Sequence, residues 1–76
     1  MRTPKHLDGL VGVLMAVEEA TKGTHYEWLV RADTNGGYFA NIGDGVTSHA
    51  HHDRTPTGAL SRSLMEFNLR TKGTKP

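Results

Sequence analysis

Hydrophobic positions recur along the chain in two rhythms, a helical one at each end and an alternating one between them. Leu7, Leu10, Val11, Leu14 and Val17 fall at helical spacing after Thr3, an N-cap, and Pro4, a preset first residue, and Gly23 closes the run. The pattern predicts a helix over 4–22. Gly9 and Gly12 lie inside it, each at about 1 kcal/mol relative to alanine, which points to a close backbone approach to the sheet or to another subunit's helix. From Tyr26 the period becomes two: Tyr26, Trp28, Val30 and Ala32 alternate with Glu27, Leu29 and Arg31, as in a strand. Asn35-Gly36 and Asp44-Gly45 then read as two tight hairpin turns, because both central residues of a type I′ turn need positive φ, and two turns imply three strands. A second helical stripe, Leu60, Leu64 and Phe67, flanked by Met65 and Leu69, follows another Thr-Pro cap at Thr55-Pro56 and predicts a helix over 56–70.

Two-residue loops at both turns set a definite register. Ala32 pairs Phe39 and Val30 pairs Asn41, while Asn41 pairs Ser48 and Phe39 pairs Ala50. One face then carries Trp28, Val30, Ala32, Phe39, Val46 and Ala50, with Asn41 and Ser48 among them, and is the expected core. The other gathers Leu29, Arg31, Asp33, Tyr38, Ala40, Ile42, Thr47, His49 and His51, too apolar for a solvated surface and too polar for a core. The expected fold is α+β, α-β-β-β-α, a three-stranded antiparallel sheet with both helices on the Trp28/Phe39 face; an α/β/α three-layer arrangement is the alternative. Trp28, Phe39 and Phe67 are assigned to the core, and Tyr26 to neither core nor site.

Length and composition narrow the picture. Seventy-six residues make one small domain, residues 1–76 with a flexible tail at 71–76, and chains this size bury only about 60% of their unfolded surface. With no cysteine there is no disulfide scaffold, cysteine zinc site or thiol chemistry, and oligomerisation becomes the expected source of extra burial. No apolar run approaches the ~18 residues of a membrane span, and no leader pattern precedes the first helix, so a cytoplasmic protein without a membrane partner is expected. The net charge of +1 weighs against nucleic acid as a partner. Its distribution is uneven: residues 1–53 sum to −3 and 54–76 to +4.

Candidate chemistry lies in three places. His49-Ala50-His51-His52-Asp53 could turn two imidazoles toward one metal from a strand. The spacing resembles the start of the His-x-His-x-Asp-His signature of the metallo-β-lactamase superfamily, but Arg54 replaces its last histidine and the chain is too short for that fold. Metal binding through His49, His51 and His52 therefore stays an alternative, and no cofactor is expected. Ser48 and His49 are sequence neighbours and face opposite sides of a strand, so they make no nucleophile-base pair; the carboxylates Asp44 and Asp53 make no acid-base pair, and no catalytic residue is assigned. At the second helix, Arg54, Thr55, Thr57 and Gly58 combine a cation, hydroxyls and an N-terminus into a possible phosphate site, in competition with ordinary capping. On the mixed face, Arg31, Tyr38, His49 and His51 offer an aromatic plane and phosphate donors, or an oligomer interface.

The segment from Tyr26-Glu-Trp-Leu-Val-Arg to Gly37-Tyr-Phe-Ala-Asn-Ile-Gly, with Thr57-Gly-Ala-Leu-Ser-Arg-Ser-Leu after it, is similar to the pattern of the "phage ABA sandwich" family, over roughly residues 10–70. The resemblance implies α/β/α layering and a phage origin, where short cysteine-free proteins commonly inhibit host defence or host machinery. The combined expectation is a non-enzymatic, oligomeric phage counter-defence protein in the host cytoplasm that sequesters an anionic, nucleotide-type small ligand. A protein-protein inhibitor of a host defence or transcription protein, in the manner of an anti-CRISPR, is the alternative.

Overall fold

Residues 5–72 are described by a computed structural model. Helix α1 spans Lys5–Thr21, strands β1, β2 and β3 span Glu27–Ala32, Tyr38–Gly43 and Ser48–Asp53, and helix α2 spans Pro56–Lys72. The order is the expected α-β-β-β-α, and the strands form one antiparallel sheet in the order β1-β2-β3. Helix α2 continues through Thr71 and Lys72, where a tail is expected; residue 4 and residues 73–76 lie outside the described residues.

Helix α1 stops where its sequence says it should. Gly23 takes a left-handed φ of 76°, the Thr24 amide donates to the Thr21 carbonyl at 3.0 Å, and the Thr21 hydroxyl donates back to Val17 O at 2.8 Å. The first hairpin is not a type I′ turn. No residue other than glycine has positive φ among the described residues, so Asn35 is right-handed; Gly36 (φ 99°) and Gly37 (φ 75°) supply the reversal instead. The Gly36 amide donates to Asp33 O at 3.0 Å and the Asp33 amide to Gly37 O at 3.0 Å, enclosing a three-residue loop, Thr34-Asn35-Gly36. Asp33 Oδ1 also accepts from the Asn35 amide. Gly37 has a second constraint, since a Cβ there would lie 2.7 Å from the Asp53 carbonyl oxygen.

One extra loop residue shifts β1 against β2 by one position, so Val30 pairs Ala40 and Arg31 pairs Phe39, in place of the expected Val30–Asn41 and Ala32–Phe39. The second hairpin does have a two-residue loop, one position later than expected: Asp44 pairs Thr47 around Gly45-Val46, with Gly45 at φ 92°. Asp44 Oδ1 accepts from the amides of Val46 (2.9 Å) and Thr47 (2.7 Å), which holds the turn and depresses the Asp44 carboxyl below its usual value. The resulting two-residue shift leaves faces unchanged between β2 and β3, with Ile42 opposite His49 and Ala40 opposite His51.

The sheet faces are therefore sorted differently from the expectation. Trp28 and Val30 share a face with Tyr38, Ala40, Ile42, His49 and His51, and α2 lies on that face with α1 beside it. The fully buried cluster is Val17, Ala40, Ile42, Ala59, Leu60 and Phe67, with Trp28, Val30, Tyr26 and Tyr38 packed around it. The buried Ser63 hydroxyl donates to Ala40 O at 3.2 Å, tying α2 to the central strand. Phe39 lies on the opposite, open face, half-buried between Arg31 and His52 (each 5.0 Å ring centre to group), rather than in the core. Gly9 does mark a close approach, to Thr57 of α2 in the same chain at 3.3 Å from an added Cβ, whereas Gly12 meets nothing within 4 Å.

Candidate functional site

The expected site does not assemble. Arg31 projects from the open face, while Tyr38, His49 and His51 lie on the covered one, because the register of the first hairpin moves Arg31 away from them. His49, expected at a half-wet surface, is 2% exposed beneath α2. Leu29, expected beside them, lies with Arg31 on the open face.

The N-terminus of α2 is occupied by the chain's own groups. Thr55 Oγ1 accepts from the Gly58 amide at 3.0 Å, and the Thr55 hydroxyl reaches Asp53 Oδ2 at 3.4 Å. A Cβ at Gly58 would fall on the Asp53 carboxylate, so the missing side chain admits Asp53 rather than a ligand. A carboxylate at a helix N-terminus already takes the place a phosphate would use. Arg54 is exposed, Thr57 is half-buried against α1, and neither joins a pocket with His49.

What the fold does assemble is a cleft of about 480 Å³ between the start of β3 and the C-terminal half of α2, lined by Tyr26, Thr47, Ser48, His49, Glu66, Arg70 and Thr71. Period-two spacing turns His49 and His51 from β3 toward α2, and helical spacing places Glu66 and Arg70 one turn apart on the facing side. His51 Nε2 lies 2.6 Å from Glu66 Oε1, and Arg70 contributes a nitrogen 3.7 Å from Glu66 Oε2. The His51 hydrogen bond, with smaller contributions from His49 and Arg70, holds the Glu66 carboxyl below its usual value of 4.5 against the opposing effect of partial burial.

His49 stands apart in this group. Its Nδ1 is 3.8 Å from Glu66 Oε2, beyond hydrogen-bond length, and neither ring nitrogen has a partner although both are buried. The ring is held by apolar contacts, 5.7 Å edge-on to Phe67 and 6.2 Å from Tyr26, and Tyr26 in turn meets Phe67 at 4.8 Å. A neutral imidazole carries one donor and one acceptor, and each buried polar group left unmatched costs about 1–3 kcal/mol. Sequence reasoning selected His49 and His51 but missed Glu66, Arg70, Thr47 and Tyr26. The signal for the first two was present: Glu66 is the only acid in residues 54–76 and precedes Arg70 by one helical turn.

The histidines do not converge on one metal. His52 faces away, its Nε2 2.8 Å from Asp33 Oδ2, and no cluster of three His, Cys, Asp or Glu side chains suited to a metal occurs among the described residues. Among those residues no helix is long and apolar enough to cross a membrane. No family model, curated protein or solved structure matches the chain.

Proposed function

We propose that the protein is a binding protein, without catalytic machinery, that sequesters an anionic small molecule of nucleotide type in the β3–α2 cleft, as a phage counter-defence protein would. The observation that carries this reading is His49, a buried imidazole with two unmatched nitrogens lining a cleft of about 480 Å³. That volume lies within the range of small-molecule sites. The two ends of the cleft differ in chemistry. At the inner end, Glu66 supplies acceptors suited to the polar edge of a heterocyclic base, with Tyr26 alongside, and the buried His49 nitrogens lie behind the Glu66 carboxylate, met by a ligand that displaces it. At the outer end, Arg70 is 72% exposed and shares the lining with Thr47, a cation and a hydroxyl suited to a phosphate. Glu66 does not repel the anion strongly, because one of its oxygens is hydrogen-bonded to His51 and the Arg70 guanidinium lies 3.7 Å from the other.

Three variants separate this reading from a structural role. His49→Phe removes the two unmatched nitrogens and keeps the ring, so the protein should remain folded and be as stable as the parent or more so. The same change should abolish binding of AMP measured by isothermal titration calorimetry. Arg70→Gln should weaken AMP binding roughly tenfold to a hundredfold through the lost charge-assisted contact, while Arg54→Ala should leave it unchanged. Absence of AMP binding to the parent protein, together with no nucleotide retained by untagged protein in native mass spectrometry, overturns the proposal.

A further inference from the structure

The two outer strands of the sheet are unequal, and β1 has the pattern of a strand that pairs with its own copy. The hydrogen bond from the Asp33 amide to Gly37 O fixes the alternation along β1: Asp33, Arg31, Leu29 and Glu27 bond to β2. The Asp44–Thr47 bond gives the same phase independently, since it assigns the even residues of β2 to β3 and leaves Phe39, Asn41 and Gly43 for β1. The backbone groups of Trp28, Val30 and Ala32 therefore point outward from the edge. Their side chains are apolar and only partly covered, and Leu29 on the open face is 44% exposed. No charge of the chain's own ion-pairs with Glu27 or Arg31 among the described residues.

We infer that a second copy of this chain docks along β1, antiparallel about a two-fold axis through Leu29, and so extends the sheet to six strands. The register follows from the residues. Centred on Leu29, Trp28 faces Val30 of the partner in the hydrogen-bonded positions, so the outward backbone groups of both residues find partners. In the same register Glu27 faces the partner's Arg31, and by symmetry Arg31 faces the partner's Glu27. Shifting the axis to Val30 sets Glu27 against Asp33, two like charges; shifting it to Trp28 sets Arg31 against His25. Only the Leu29 axis is self-complementary. On the edge of β3, centring on Ala50 opposes His49 to His51, both of which already face α2.

The inference stands independently of the ligand cleft, which lies on the far side of the sheet at β3. Its test is a charge swap followed by sedimentation equilibrium. The parent should be a reversible dimer. Glu27→Arg replaces both attractive pairs by Arg–Arg pairs, and Arg31→Glu replaces both by Glu–Glu pairs, so each should weaken dimerisation at least about tenfold. An equimolar mixture of the two variants restores opposite charges at both positions of a heterodimer and should dimerise as well as the parent. Protection of the Trp28 and Val30 amides from hydrogen exchange should rise and fall with the dimer. A monomeric parent, a dimer indifferent to the single swaps, or a mixture that stays monomeric overturns the inference.

Discussion

At the residue scale, Asp53 and Gly58 illustrate how one local contact decides between two chemistries. The sequence Arg54-Thr-Pro-Thr-Gly58 reads as an anion site, but the anion is supplied three residues before the helix by Asp53, which also lies 3.7 Å from Arg62. Gly58→Ala pushes a methyl into that carboxylate. The displacement and loss of capping should cost about 1–2 kcal/mol, partly offset by up to about 1 kcal/mol from the better helix propensity of alanine. In an Asp53→Ala background the clash disappears, and the same substitution should become neutral or stabilising. A double-mutant cycle by urea denaturation measures the coupling; additive effects would mean that Asp53 does not fill this site.

At the element scale, the decisive feature is loop length. Element order, strand number and both helices were legible because apolar spacing and the Thr-Pro and Gly punctuation mark them directly. The sheet faces were not, because Asn35-Gly36 fits a two-residue loop and a three-residue loop almost equally well, and the difference of one residue turns Trp28 and Val30 from one face to the other. The evenness of the alternation hides the choice: Tyr38, Ala40 and Ile42 and their neighbours Phe39 and Asn41 are too mixed to name the buried side. Gly37, required by the close Asp53 carbonyl and its positive φ, is the local reason the longer loop wins. Gly37→Val tests this, since a branched side chain there meets the Asp53 carbonyl and opposes the positive φ, which removes the three-residue loop and leaves the alternative register. Removing Trp28 and Val30 from the covered face forfeits about 1.5–3 kcal/mol for each, out of the roughly 5–15 kcal/mol total typical of a domain. The Gly37→Val variant should lose its cooperative thermal transition, whereas an unchanged melt would show that the register does not depend on Gly37.

For the whole molecule, the polar joint between β3 and α2 links stability to function. Glu66 titrates below its usual value of 4.5 in the folded chain, so the unfolded chain binds its proton more readily. The stabilisation is complete above about that pH and is lost as pH falls through the depressed value. Asp44 behaves in the same sense from its usual value of 3.8. Melting temperature should therefore fall on acidification below about pH 4.5 in the parent protein and fall less steeply in Glu66→Gln, with Asp44 accounting for the remainder. Identical slopes in the two proteins would show that the His51–Glu66 contact carries no linkage. The candidate site was legible only through its histidines. Glu66 and Arg70 stand on α2, and only the covering of the His49 face by that helix brings them together.

The most direct measurement is the ring-nitrogen NMR spectrum of protein labelled with ¹⁵N-histidine, followed during titration with AMP. Both His49 nitrogens should shift saturably as they acquire partners, with His52, on the open face, unmoved. AMP that leaves the His49 resonances in place at saturating concentration would contradict the proposed site.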